Sequence, residues 1–413
     1  YLFAPANGGA QSQREAWETF HQLCRAGRVC SAWAVEHGIA EGIMQMSFGN
    51  SIGFQAEGRE IAWDLPCPGA IVAELTEDVK LSHGGKLGVT TAEPVITIGK
   101  DSASIDELLS LSEGVLEDVY PTRAGTSGAV KAISWDKRSP AVRKRRVAHP
   151  KVVIPVFPGT NCEYDSARAC LRAGLEPEIL VVRNLTAADL EESALALEKA
   201  IRKAQILFLP GGFSGGDEPD GSAKLITAFF RNAAVKEQVT DLLEKRDGLM
   251  LGVCNGFQAL IKLGLVPYGK IMDTDADFPT LTYNVIGRHQ SRLVRTRVCS
   301  NKSPWLAGTK VGDIYTVPIS HGEGRFLASE ELVKKLAENG QIATQYVDLD
   351  GYATMDAAFN PNGSICAIEG ITSPDGRVFG KMGHTERIGK ELYRNVPGQY
   401  EMELFTSAVR YFK

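Results

Sequence analysis

Two rhythms of hydrophobic and polar positions divide the chain. Beyond residue 150, short apolar runs alternate with longer segments whose apolar residues recur at three- and four-residue spacing. The runs at 151–157, 178–182, 205–209 and 248–253 predict strands. The segments 163–173, 187–203, 222–232, 235–245 and 257–262 predict helices between and after them. Apolar strands alternating with amphipathic helices predict an α/β fold, a mostly parallel sheet with helices on both faces. In such sheets ligands bind beyond the carboxyl ends of the strands, so chemistry is sought there.

Before residue 150 the texture differs. A helix over 11–25 that stops at Gly27, a buried strand over 29–35, and a helix over 39–48 closed by Gly49 and Asn50 are expected. Further β-rich runs at 70–74 and 94–98 complete a smaller α+β lobe. Between the two textures stand Lys137, Arg138, Arg143, Lys144, Arg145 and Arg146, with Pro140 among them and Pro150 beyond. Such a run can read as a nuclear-import or nucleic-acid patch. The chain as a whole is acidic, with a net charge of −5, which favours a solvated linker. The boundary is therefore placed near 148, dividing the chain into 1–148 and 149–413. The charge balance gives no footprint for nucleic acid or an anionic membrane. No stretch reaches the roughly 18 apolar residues of a membrane span. The first residues have no signal-peptide order and read as the middle of a longer polypeptide.

The eight cysteines stand at 24, 30, 67, 162, 170, 254, 299 and 366, none in a CxxC pair. They read as reduced thiols of a cytoplasmic protein, with no metal site. One of them is set apart by its surroundings. In Leu249-Met-Leu-Gly-Val-Cys-Asn-Gly-Phe-Gln258 an apolar strand ends at Val253, Cys254 takes the turn, and a helix follows at once. This is a strand–nucleophile–helix elbow with Cys in place of Ser, and Gly252 and Gly256 stand where side chains would crowd the turn. A helix N-terminus aimed at the sulfur is expected to favour thiolate. The bland alternative is a buried Cys that happens to end a strand. A second strand breaks into a glycine-rich loop at Pro210-Gly-Gly-Phe-Ser-Gly-Gly216. Backbone N–H groups around Gly212 and Phe213, with that of Asn255, are candidates to hold an oxyanion. A phosphate cradle competes, but no Lys-Ser/Thr follows the glycines.

A cysteine nucleophile needs a base from elsewhere in the sequence. His321, in Pro318-Ile-Ser-His-Gly-Glu-Gly-Arg-Phe326, and His384, in Gly380-Lys-Met-Gly-His-Thr-Glu-Arg387, both follow apolar strands. Glu386 lies two residues beyond His384, on the same face of an extended segment, where it can fix the imidazole tautomer. His384 is therefore the expected base and His321 a wall of the substrate pocket. His21, His37, His83, His149 and His289 are expected on the surface or in the core.

These motifs, with Phe157-Pro-Gly-Thr-Asn-Cys-Glu163, resemble the class I glutaminase domain of phosphoribosylformylglycinamidine synthases over essentially all of 150–413. The likeness is carried by Pro210-Gly-Gly-Phe-Ser, Gly252-Val-Cys-Asn-Gly-Phe-Gln258, Ile319-Ser-His-Gly-Glu-Gly-Arg325 and Gly383-His-Thr-Glu-Arg387. The stretch Ser31-Ala-Trp-Ala-Val-Glu-His-Gly-Ile-Ala-Glu-Gly42, followed by Met46-Ser-Phe-Gly49, resembles more weakly the end of the second synthetase half of the long, single-chain form, a fold shared with aminoimidazole ribonucleotide synthetases. There the family often has His-Asp-x-Ser-Asp-Gly-Gly; the acidic pair is absent here. Two further departures are Gly215, with Gly216 and Asp217, where the family often has Tyr, and His289-Gln-Ser-Arg-Leu-Val294, where it has Asn-x-Ser-x-x-Phe.

The resemblance implies that Cys254, His384 and Glu386 hydrolyse glutamine, with Gly212, Phe213, Asn255, Gln258 and His321 contacting the oxyanion or the glutamine. It implies ammonia supply to upstream synthetase domains of the same chain. ATP and magnesium would serve the full-length enzyme, with no cofactor in these residues. Rival readings are a glutaminase-like cysteine hydrolase uncoupled from purine synthesis and a vestigial regulatory lobe.

Overall fold

The computed structural model describes residues 1–5, 9–58, 61–126, 128–138, 146–213 and 223–413. These form two compact units, Tyr1–Thr122 and Arg123–Lys413.

In the first unit the helices Ala10–Arg25 and Ile39–Phe48 stand close to where their apolar spacing put them. Ile71–Leu75 pairs antiparallel with both Leu2–Phe3 and Val29–Ala34. A second sheet orders Gly88–Thr91, Gly53–Ala56, Val95–Ile98 and Asp101–Ser104. The helix Ile105–Gly114 follows, its first turn capped by the Ser104 hydroxyl, which accepts from the Glu107 N–H at 3.2 Å. Val35, Ile39, Ile43, Phe54, Val72, Leu87, Ile96 and Ile105 fill the core between them. The expected buried strand over 29–35 is corrected: Val29–Ala34 is an outer strand, mostly exposed, and only Val35 beyond it is buried.

The second unit begins earlier than the basic run suggested. The residues before the run are already tied to it: Ala129 bridges Thr354, and the Trp135 N–H donates to the Cys299 carbonyl at 2.8 Å. Ile133 donates to the side chain of Gln345. Such pairings between distant segments leave no local pattern that composition can show. Pro140, Arg143, Lys144 and Arg145 lie outside the described residues.

The second unit is built on one nine-stranded sheet. In chain order its strands are β1 (Lys151–Val156), β2 (Glu176–Val181), β3 (Ile206–Leu209), β4 (Leu249–Val253), β5 (Gln290–Val298), β6 (Ile314–His321), β7 (Ile342–Val347), β8 (Ile368–Thr372) and β9 (Val378–Lys381). They lie in the spatial order β6-β5-β7-β8-β9-β4-β3-β1-β2. The strands β2, β1, β3, β4 and β9 pair in parallel, whereas β8, β7, β5 and β6 continue the sheet antiparallel. The expected α/β sheet is thus present, with an antiparallel half that the apolar runs did not reveal.

Helix Ala187–Lys203 starts on a capping box between Thr186 and Asp189 and ends on Arg202 and Lys203, favourable charges at either end of its dipole. It packs on Ala233–Glu244, while Glu163–Ala173 packs with Leu404–Phe412. The connection from β1 to β2 runs one way across the sheet, and those from β2 to β3 and β3 to β4 run the other way. Right-handed crossovers then put the two helix pairs on opposite faces. Between β1 and β3 the direction of winding reverses, and the loops leaving both strands meet there through the Thr160–Gly212 bridge. This is where an open α/β sheet leaves a crevice.

Helix Asn255–Leu263 lies so tightly over β3 and β4 that a Cβ on Gly256 would stand 2.0 Å from the Leu209 carbonyl oxygen, and one on Gly252 2.6 Å from that of Gly256. Backbone cannot yield as a side chain can. Gly256→Ala should therefore lower unfolding free energy by about 1–3 kcal/mol, read from denaturant titration. An unchanged midpoint would contradict this packing.

Candidate active site

Strand β4 ends at Val253, and Cys254 turns the chain with φ 52° and ψ −108°. A residue with a side chain rarely adopts this backbone, which costs about 1–3 kcal/mol and aims the side chain out of the elbow. The Cys254 N–H donates to the Lys381 carbonyl at the end of β9 at 2.9 Å, and the thiol lies 3.7 Å from the Ser320 carbonyl of β6. The ends of three strands therefore surround one sulfur.

His384 arrives from the segment after β9, its own N–H held by the Pro318 carbonyl at 2.8 Å. Its Nδ1 is 2.6 Å from Glu386 Oε1, and both side chains are buried. The opposite nitrogen, Nε2, has no hydrogen-bond partner among the described residues. The His384 Cε1 and the Cys254 Cβ both crowd the place a Cβ on Gly211 would take, at 2.7 and 3.5 Å. Gly211 is thus bare where ring and nucleophile elbow converge. Burial pushes the Glu386 carboxyl up. The imidazole beside it, its hydrogen bonds and Arg387 outweigh that and hold it below the ordinary value.

The thiol differs from the expectation. Burial pushes Cys254 up, and the Cys162 sulfur adds to this; the Asn255 N–H at the helix start works the other way but is the smaller influence. At rest the sulfur is therefore a protonated thiol, and its proton must be removed as it reacts. Cys162, which precedes helix Glu163–Ala173, is also held up, to about 12, mainly by burial. Arg387 donates to the Cys162 sulfur at 3.0 Å.

The residues expected around the glutamine divide into two groups. His321 is buried at the end of β6, with His384 and His289 acting on it and neither ring nitrogen partnered among the described residues. Gln258, expected to contact the oxyanion or the glutamine, is engaged within the chain. Its Nε2 donates to the Glu323 carbonyl at 2.6 Å, and its Oε1 accepts from the Asn255 side chain at 2.9 Å. It joins the elbow helix to the loop after His321, because a buried amide satisfies both its ends. In the glycine loop the Phe213 N–H is committed to the Gly159 carbonyl at 2.8 Å, which leaves Gly212 and Asn255 as the backbone candidates for an oxyanion. Ser214, Gly215, Gly216 and Asp217 lie outside the described residues.

Three contributors went unread in the sequence. His289 is exposed, as expected, and its Nε2 lies 3.1 Å from the Ser320 hydroxyl and its ring 5.9 Å from that of Phe213. Arg387, next to Glu386, meets Cys162 across the site; its place in the His-Thr-Glu-Arg motif was the available signal. Glu369 and Lys381 form a fully buried ion pair below the His384 segment. A Lys at the end of an apolar strand was the available signal for that pair.

Cys162, His384 and Glu386 each offer a ligand atom, all within 4.8 Å of one another. They do not suit a divalent cation as they stand. His384 Nδ1 and Glu386 Oε1 are already engaged with each other in a hydrogen bond of 2.6 Å. Arg387 also places positive charge on the Cys162 sulfur, where the ion would bind.

The chain belongs to the CobB/CobQ-like glutamine amidotransferase domain family, which matches residues 149–412. Among named relatives, the "Phosphoribosylformylglycinamidine synthase subunit PurQ" of Treponema denticola is 37% identical over 251 residues, 57% of this chain and 87% of that protein. Its namesake from Aquifex aeolicus is 32% identical over 244 residues, 59% of this chain and 92% of that protein. A solved chain described as "Structure of PurLQS from Thermotoga maritima" is 26% identical, with a TM-score of 0.46, covering 64% of this chain and 100% of its own.

Burial holds His321 down to about 3, against 6.5 for a free imidazole. The unfolded chain thus takes up a proton below about pH 6.5 that the folded chain refuses until about pH 3, so this residue's stabilising effect is full above that window and lost on acidification. His321→Gln should lose less thermal stability than the unchanged chain between about pH 7.5 and pH 5. Identical pH dependence in both would show that His321 does not sit neutral.

Proposed function

We propose that residues 149–413 form the glutaminase of a phosphoribosylformylglycinamidine synthase, with Cys254 the nucleophile, His384 the base and Glu386 its orienting carboxylate. One observation carries the reading: His384 is bound through Nδ1 to Glu386 at 2.6 Å, which leaves Nε2 unpartnered beside the Cys254 elbow. That tautomer is the one able to take a thiol proton.

The raised thiol sets the order of events. Glutamine enters the crevice, and the Cys254 sulfur attacks its side-chain amide carbon as the proton passes to His384 Nε2. Negative charge on the amide oxygen meets the backbone N–H groups of Asn255 and Gly212. The carbon–nitrogen bond breaks, and the nitrogen leaves as ammonia with the proton returned by His384. Water, deprotonated by the same imidazole, then attacks the γ-glutamyl thioester and releases glutamate and the thiol. Glu386 stays ionised throughout and stabilises the imidazolium in each half. His321 and His289 border the pocket, and Gln258 keeps its wall in place.

Ammonia would pass, shielded from solvent, to a synthetase that uses ATP and magnesium to convert formylglycinamide ribonucleotide to its amidine, in purine biosynthesis. The relatives' printed names support that product. The separate unit Tyr1–Thr122 supports a chain in which glutaminase and synthetase are joined, this unit being the end of a synthetase-like lobe with a structural part to play. No helix among the described residues is long and apolar enough to cross a membrane, and a cytoplasmic location is part of the proposal.

In the full enzyme, Cys254→Ala should reduce glutamine-dependent synthesis by at least about a thousandfold and spare synthesis from added ammonium. Loss of both activities, or retention of the glutamine-dependent one, would contradict the assignment.

A further inference from the structure

Lys381 and Glu369 are fully buried, and the reaction described above uses neither. The Lys381 ammonium lies 3.2 Å from Glu369 Oε1 at the boundary between β8 and β9. Isolated charges rarely survive such burial, and a buried ion pair is weak evidence for stability, since apolar replacements of the same volume are often no less stable. What these two groups hold is more informative. Glu369 Oε1 accepts from the Gly383 N–H at 2.6 Å, and the Lys381 ammonium donates to the Gly383 carbonyl at 2.9 Å. Both polar groups of the residue just before His384 are therefore gripped by one ion pair.

The grip reaches the nucleophile as well. The Lys381 carbonyl takes the N–H of Cys254 at 2.9 Å, through the parallel register that sets Val253 beside Lys381. The far oxygen of Glu369 is fixed by the Thr344 hydroxyl at 2.5 Å, from β7. Gly383 suits this arrangement. A Cβ there would stand 2.6 Å from Val317 Cγ1, 3.0 Å from Glu369 Oε1 and 3.1 Å from Lys381 Nζ, in the space the pair occupies.

We infer that Lys381 and Glu369 are positioning residues, a buried clamp that sets the His384 imidazole relative to the Cys254 thiol without touching substrate. The inference rests on the reading of Cys254, His384 and Glu386 as the relay. A proton must cross from sulfur to Nε2 within hydrogen-bond reach, and a misplacement of about 1 Å is enough to slow such a step by as much as a hundredfold.

The test uses the full enzyme with glutamine and, separately, ammonium as nitrogen source. The neutral pair Lys381→Met with Glu369→Gln removes both charges and keeps an amide oxygen for the Gly383 N–H. Its unfolding midpoint should stay within about 5 °C of the unchanged protein, and ammonium-dependent activity should be intact. Its glutamine-dependent kcat should fall at least about tenfold, with KM for glutamine changed less than about threefold and alkylation of Cys254 by a glutamine-mimicking reagent slowed in parallel. Thr344→Val, which removes one hydroxyl, is the milder variant should the pair not fold, and should lower kcat about threefold in the folded protein. Full glutamine-dependent kcat in the folded pair overturns the clamp. So does equal loss with ammonium, or full kcat in Thr344→Val where the pair does not fold. Cys254→Ala keeps the two claims apart. If it retains glutamine-dependent activity the relay itself is wrong, whereas its inactivity beside a fully active pair removes only the clamp.

Discussion

The structure depends on one parallel register, Val253 beside Lys381. It sets the end of β4 next to the end of β9, so that the residue after one strand and the residue three beyond the other come to the same sheet edge. Cys254 then donates a backbone hydrogen bond to the Lys381 carbonyl, and His384 is carried back over the elbow. A slip of one residue in this pairing would turn the strand's side chains to the opposite face and separate thiol from imidazole. Small residues guard the register: Gly256 lets the elbow helix close on β3, Gly211 leaves room for His384, and a Cβ on Gly380 would stand 2.1 Å from the Phe257 ring.

Burial dominates the electrostatics of the site. It raises Cys254 and Cys162, and it empties His321 of its proton at ordinary pH. The elbow helix acts in the opposite sense on Cys254 but does not prevail. A permanent thiolate beside a second cysteine, Cys162, would invite oxidation and alkylation, which a resting thiol avoids. In the proposed mechanism activation is deferred to the encounter with substrate, when the His384 nitrogen facing away from Glu386 accepts the proton. The ion pair of Lys381 and Glu369 holds both backbone polar groups of Gly383, the residue before His384.

What could be read without coordinates was what local sequence determines. The elbow was legible because a strand, a turn and a helix are contiguous there, and the tight turn demands Gly252 and Gly256. The pairing of His384 with Glu386 followed from their two-residue spacing. The helices at 163–173 and 187–203 announced themselves by spacing and caps. Of the antiparallel half only the apolar runs before His321 and His384 were read; how the strands pair was not, because joins such as Arg295 to Val347 bring together segments that no local pattern links. The segment around Ala129 and Trp135, bonded to Thr354 and Cys299, was placed before the boundary because partners so distant in the chain leave no local sign. Gln258 was assigned to glutamine by resemblance, yet its amide is occupied by Glu323 and Asn255. Phe213 failed as a donor because the carbonyl of Gly159, from another loop, already holds its N–H. In both cases a long-range hydrogen bond, invisible in the sequence, took the group that the motif offered.

The central claim is that one sulfur, that of Cys254, carries the glutamyl group during turnover. Mixing the enzyme with glutamine, quenching in acid within the first turnovers and mapping the peptides by mass spectrometry tests it directly. The account predicts a γ-glutamyl adduct confined to the peptide bearing Cys254, formed and lost at rates that match glutamate release. An adduct on Cys162, or steady glutamate release with no adduct on any cysteine, would contradict it.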